Sequence, residues 1–136
     1  MAPRAWQASM SVGIETFDHE HRQILAMLNL LQDAIDLDDA RTARLLLDAL
    51  VGRLAEHFLS EEAYLRGSPG LDEHIRHHDE ARAAIADLNR QFHAGGLTAT
   101  ALVARLQDFF VDVLIPEDQR CIGGMEPLGR QEKGAD

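Results

Sequence analysis

The apolar positions of this chain fall into four blocks, each repeating at alternating steps of three and four residues. The first holds Ile24, Leu28, Leu31 and Ile35, with His21 in the same register. That spacing marks one face of an amphipathic helix. It predicts a first helix from about Asp18, which would serve as its N-cap. The second block reads Leu47, Leu50, Leu54, His57, Glu61 and Leu65, behind an Asp36-Leu37-Asp38-Asp39 link that supplies a cap. Gly67-Ser68-Pro69-Gly70 is the clearest break in the chain. Beyond it, Leu71, His74, His78, Ala81, Ile85, Leu88 and Phe92 form a third stripe, closed by Ala94-Gly95-Gly96. Thr98 is placed to cap a fourth helix whose stripe is Leu102, Leu106, Phe109 and Val113. Pro116 should then kink or end that helix, because it removes a backbone donor and crowds the preceding turn.

Four amphipathic helices with short links imply an all-α fold, an up-down-up-down antiparallel four-helix bundle. Residues 1–17 carry no helical period but hold Trp6, Val12, Ile14 and Phe17, enough apolar surface for an ordered N-terminal arm with Trp6 as a core anchor. The bundle is expected over residues 18–122. From Gly123 the chain is Gly-rich, charged and aperiodic, so residues 123–136 read as a frayed tail.

Composition narrows the function. At 136 residues with 46% hydrophobic content, the chain is one domain with a core of its own. A net charge of -10 argues against nucleic acid or anionic lipid as a partner. A single cysteine, Cys121, allows neither an internal disulfide nor a Cys-based metal site. No apolar run suggests a signal peptide or a membrane span, so a cytoplasmic protein is expected. Oligomeric state is left open, with a monomer admitted.

The chemistry sits on the stripes. His57 with Glu61, and His74 with His78, stand four residues apart and therefore one turn apart on a helix face, so each pair can grip one ion. A carboxylate on a core face is costly unless it is paired, protonated or metal-bound, which makes Glu61 the informative residue. Glu62, one position round, would support the site from outside or face solvent. A lone His21 would more often be a hydrogen-bonded core residue than a ligand. His19, His77, Asp79 and His93 lie off the stripes. In an up-down bundle the start of the first helix, the end of the second, the start of the third and the end of the fourth share one end. His21, His57, Glu61, His74, His78 and Asp118 therefore gather there. Imidazole with carboxylate suits iron, manganese or zinc, in a mononuclear or a dinuclear site. Without a cation, several of these buried groups would be left poorly satisfied.

Over about residues 6–121 the chain resembles a bacterial hemerythrin. The resemblance is carried by Trp6, Val12-Gly13-Ile14, Asp18-His19-Glu20-His21, His57-Phe58-Leu59-Ser60-Glu61-Glu62, His74 with His78, and Asp118. It implies a pair of non-haem iron ions bridged by oxo or hydroxo and by the carboxylates Glu61 and Asp118. His21 and His57 would serve one iron, His74 and His78 the other. The family has one more histidine, five residues before the last aspartate, and this chain has Val113 there. Val113 falls on the expected stripe and so is expected to face the site. The resemblance implies binding of dioxygen or of a small ligand such as azide, peroxide or nitric oxide, for oxygen storage, transport, delivery or sensing. With no partner domain fused to it, the chain is expected to store, deliver or scavenge. Loss of the histidine would weaken durable dioxygen binding and admits an oxidase- or peroxidase-like enzyme, or a scavenger, as the alternative. A single structural zinc or iron is the third reading.

Overall fold

A computed structural model of the protein describes residues 4–123. The first helix, α1, spans Glu15–Asp36 and starts ahead of Asp18. Asp18 does not cap it. Its buried carboxylate reaches back into the arm instead, accepting from Val12 N at 2.8 Å and from Ser11 Oγ at 2.5 Å. Those two bonds fasten the arm to the helix, while Ile14 holds the N-cap position without a side-chain bond. The arm turns into α1 at Gly13, whose φ of 86° lies in the left-handed region that glycine occupies at no steric cost.

Helix α2 spans Ala40–Tyr64, and Asp39 caps it by accepting from Thr42 N at 3.1 Å. The Gly67–Gly70 break separates it from α3, Leu71–His93. Thr98 caps α4, Ala99–Phe109, by accepting from Ala101 N at 3.1 Å. α1 packs on α2 and α4, and α3 packs on the same two, so the helices stand at the corners of a square. Their apolar stripes meet in one core that includes Ile24, Leu28, Leu50, Leu54, Ile85 and Leu106. No strand occurs among the described residues.

The fourth helix departs from its expected course. After α4 comes a π-helical turn, Phe110–Leu114, and then a last helix, α5, Ile115–Cys121. The wider turn, bonded from Ile115 N to Phe110 O, shifts the register by one residue. The buried stripe therefore runs Leu102, Leu106, Phe110, Leu114 and Asp118. Phe109 is only half-buried, and Val113, expected to face the site, is 43% exposed. Pro116 does not end the helix either. It falls in the first turn of α5, where its missing N–H costs little, and the π turn relieves the crowding its ring would cause.

At the end of the bundle where α2 turns into α3, a second apolar cluster joins Val12 and Ile14 of the arm and Phe17 of the first turn of α1 to Leu65 and Ile122. Trp6 is half-buried against the main core, under the Arg22 guanidinium at 5.6 Å. Gly123 closes this end, since a Cβ there would stand 2.6 Å from the Gln119 carbonyl oxygen. The tail expected from residue 123 onward lies, past Gly123, outside the described residues. Among the described residues no helix is long and apolar enough to cross a membrane.

Candidate metal centre

Six polar side chains point into the bundle just above the arm: His21 from α1, His57 and Glu61 from α2, His74 and His78 from α3, and Asp118 from α5. Each is at most 2% exposed. They are there because each occupies a stripe position that would otherwise carry an apolar residue, and the antiparallel topology brings those positions to one level.

The four imidazoles present Nε2 inward. His21 Nε2 lies 2.9 Å from His57 Nε2 and 2.9 Å from Asp118 Oδ2. His57 Nε2 lies 2.9 Å from Glu61 Oε2, and His21 Nε2 3.6 Å from the same oxygen. On the other side, His74 and His78 set Nε2 at 3.1 and 3.0 Å from Glu61 Oε1. Asp118 Oδ1 lies 3.5 Å from His74 Nε2. Two four-residue nests result, His21–His57–Glu61–Asp118 and Glu61–His74–His78–Asp118, sharing both carboxylates.

This donor set fits metal ions better than it satisfies itself. Glu61 Oε2 is fully buried and, among the described residues, has no well-aligned donor, although His57 Nε2 stands only 2.9 Å away. Two Nε2 atoms 2.9 Å apart cannot both carry a proton toward each other, so at least one presents its lone pair. The electrostatics agree. Burial pushes the His57 imidazole down, but Asp118, Glu20 and Glu61 outweigh it and hold the ring up at about 11. His21 and His74 are raised likewise, against burial, His21 by Asp118 and Glu61 and His74 by Glu61. Burial would raise Glu61, yet the surrounding imidazoles keep its carboxyl well below the ordinary range. The nest therefore favours positive charge, which bound cations would supply.

Two further carboxylates grip the centre from outside. Glu20 accepts from His57 Nδ1 at 2.6 Å, and Glu62 from His78 Nδ1 at 2.7 Å. A proton held on Nδ1 leaves Nε2 free as a donor to metal. Glu62 is thus a supporting residue and not a solvent-facing one. Glu20 stands beside His21 in the Asp18–His21 motif, and nothing in its register shows that it crosses to α2. Phe58 stacks on His78 with ring centroids 4.3 Å apart, and Phe110 meets His21 edge-on at 5.7 Å. His19 and His93 are exposed. His77 lies outside the nest, 2.8 Å from Glu117. Val113 takes no part. In the turn before Asp118 the buried side chains are Leu114 and Ile115.

Comparison with known proteins points the same way. The family model described as the hemerythrin HHE cation binding domain matches residues 12–115. The bacteriohemerythrin of Stenotrophomonas maltophilia is 28% identical over 121 residues, which cover 88% of this chain and 79% of that protein. The bacteriohemerythrin of Methylococcus capsulatus is 32% identical over 98 residues, 70% of this chain and 75% of that one. A crystal structure of a hemerythrin leucine-to-tyrosine mutant has a TM-score of 0.77 at 27% identity, covering 91% of this chain and 100% of the other. Asp118 lies beyond the stretch matched by the family model, and it is the geometry that brings it to the other five residues. A buried nest of imidazole and carboxylate in an all-α bundle, and a family model that spans most of the chain, make this protein a member of the hemerythrin family.

Proposed function

We propose that the chain is a non-haem di-iron protein that binds dioxygen or a related small ligand. His21 and His57 would hold one iron, His74 and His78 the other, with Glu61 and Asp118 bridging. The observation that carries this reading is the division of each carboxylate. Glu61 turns Oε2 to the first imidazole pair and Oε1 to the second, and Asp118 does the same with Oδ2 and Oδ1. When bound, the irons would supply the redox couple and the open coordination position for dioxygen, peroxide, azide or nitric oxide.

The chain's own residues prepare that position. Glu20 and Glu62 hold the Nδ1 protons, which fixes the tautomer and aims Nε2 inward. Val12, Ile14 and Phe17 close the outer end with Leu65 and Ile122, and Phe58 and Phe110 wall the site toward the core. Exclusion of water strengthens every charge interaction inside and shields a bound ligand from stray protons.

Anaerobic reconstitution followed by metal analysis and exposure to dioxygen tests the proposal. It expects about two irons per chain, from two nests sharing two bridging carboxylates, and a visible absorption band that reverses when dioxygen is removed. A reproducible value near one iron after full loading would count against it. The second reading, an oxidase- or peroxidase-like enzyme or a scavenger of peroxide or nitric oxide, is favoured by one observation. The chain has no histidine after His93, so each imidazole pair stands without a further imidazole from the fourth helix. Both positions would then have room for an outside ligand. Sustained peroxide turnover would favour that reading over the carrier.

A further inference from the structure

The two imidazole pairs are alike in their inner ligands and unlike in what stands behind them. In each pair one histidine has its Nδ1 buried without a partner among the described residues, His21 in the first and His74 in the second. The other histidine of each pair donates to a carboxylate. Behind His57, Glu20 accepts the Nδ1 proton on Oε1, and among the described residues its Oε2 accepts only from the neutral Ser60 hydroxyl at 3.2 Å. No arginine or lysine pairs with Glu20 among the described residues. Behind His78, a single oxygen of Glu62 accepts both from Nδ1 at 2.7 Å and from Arg82 Nη2 at 2.9 Å. Arg82 is itself held in place, over the Phe58 ring at 5.3 Å, and that ring stacks on His78.

We infer that Glu20 and the Glu62–Arg82 pair are positioning residues that make the two metal positions chemically unequal, the His21–His57 position being the more electron-rich. The inference rests on the two-iron reading above. An outer carboxylate raises the basicity of a metal-bound imidazole by drawing on its Nδ1 proton. Glu20 exerts that pull with an undivided charge. Glu62 shares its charge with a guanidinium, a charge-assisted bond of its own, so it draws less on His78. The stronger donor at His57 favours the higher oxidation state on its side, and the weaker donor at His78 leaves its iron more easily kept reduced. An outside ligand would then meet two inequivalent metals although the inner ligand count is the same on both sides.

Mössbauer spectroscopy of the iron-loaded protein, together with stepwise Fe(II) titration, reads the two positions separately. The unsubstituted chain should take up two irons and show two quadrupole doublets of equal area. Glu20→Gln keeps an acceptor for Nδ1 and removes the charge. It should shift one doublet alone and weaken one Fe(II) equivalent by about 10–100-fold, the usual cost of losing an outer partner. Arg82→Gln gives Glu62 its whole charge back. It should shift the other doublet alone and tighten the other equivalent. Both side chains are partly exposed, so the variants should fold, and circular dichroism checks this. Should Glu20→Gln fail to accumulate, Ser60→Ala removes only the hydroxyl on Glu20 and should move the same doublet in the opposite sense. Two irons with a single doublet, or two variants that act on the same doublet, would overturn the inference and leave the two-iron reading standing. Uptake of one iron by the unsubstituted chain would overturn both.

Discussion

The register shift in the fourth helix makes neighbouring residues respond in opposite ways to one substitution. Val113 is 43% exposed, whereas Leu114 is 5% exposed and lies one turn before Asp118 on the buried stripe. Val113→His would place an imidazole in solvent. Surface changes of this kind stay within about 0.5 kcal/mol, and iron content should not change. Leu114→His replaces a buried leucine by a side chain of similar size, so the cavity term is small. What is lost is the transfer energy of the leucine, about 1.5–3 kcal/mol. An imidazole nitrogen without a partner adds about 1–3 kcal/mol. Since part of either penalty relaxes, we expect a cost near 3 kcal/mol in the metal-free chain. At roughly 4 °C per kcal/mol for a chain of this size, that is about 12 °C in melting temperature. Loading iron gives the new imidazole something to bind, so the gap between loaded and metal-free melting temperatures should widen beyond that of the unsubstituted chain. Scanning calorimetry with and without a chelator measures both gaps. If Val113→His widens the gap and Leu114→His does not, the buried stripe does not pass through Leu114, and the account of the π turn is wrong.

Three other outcomes follow from the same geometry. Glu61→Ala removes the oxygens that face all four imidazoles, so metal content and melting temperature should fall together; a variant that keeps both would show that Glu61 is not a ligand. Asp18→Ala should cost about 1–3 kcal/mol in urea unfolding, because the buried Val12 N–H is left without its acceptor, and an unchanged midpoint would mean that the arm is not anchored there. In the metal-free chain His57 is raised from its ordinary value of 6.5 to about 11, so its contribution to stability is full below the lower value and is lost as pH rises toward the upper one. Metal-free protein should therefore melt progressively lower across that alkaline range, and a flat profile would contradict the carboxylate contacts of His57.

Much of this architecture could be read from periodicity because each inner residue replaces an apolar one at its own stripe position. His21, His57, Glu61, His74 and His78 all stand in register with leucines and isoleucines, and up-down topology alone puts them at one level. The contacts that escaped have no period. Asp18 has the composition of an N-cap, but its carboxylate is taken by the arm's own backbone, a competition that only three-dimensional contact decides. Glu20 is one position off the stripe, where a solvated glutamate looks identical to one that crosses to His57.

The fourth helix shows the limit most clearly. A steady step of three and four predicts Phe109 and Val113 inside, but one i→i+5 turn moves burial to Phe110 and Leu114. Pro116 is a reason for that turn to lie where it does. A proline in an unbroken α-helix would press its ring on the carbonyl of Asp112, and a wider turn just before it removes the clash without breaking the rod. The same extra residue brings Asp118 round to the stripe, in line with Leu114 and Phe110. Had the helix stayed regular, the positions in phase with Leu102 and Leu106 would have been Phe109 and Val113, and Asp118 would have turned away from that face. The aspartate that shares its two oxygens between His21 and His74 therefore depends on the distortion that moves Val113 out to the surface.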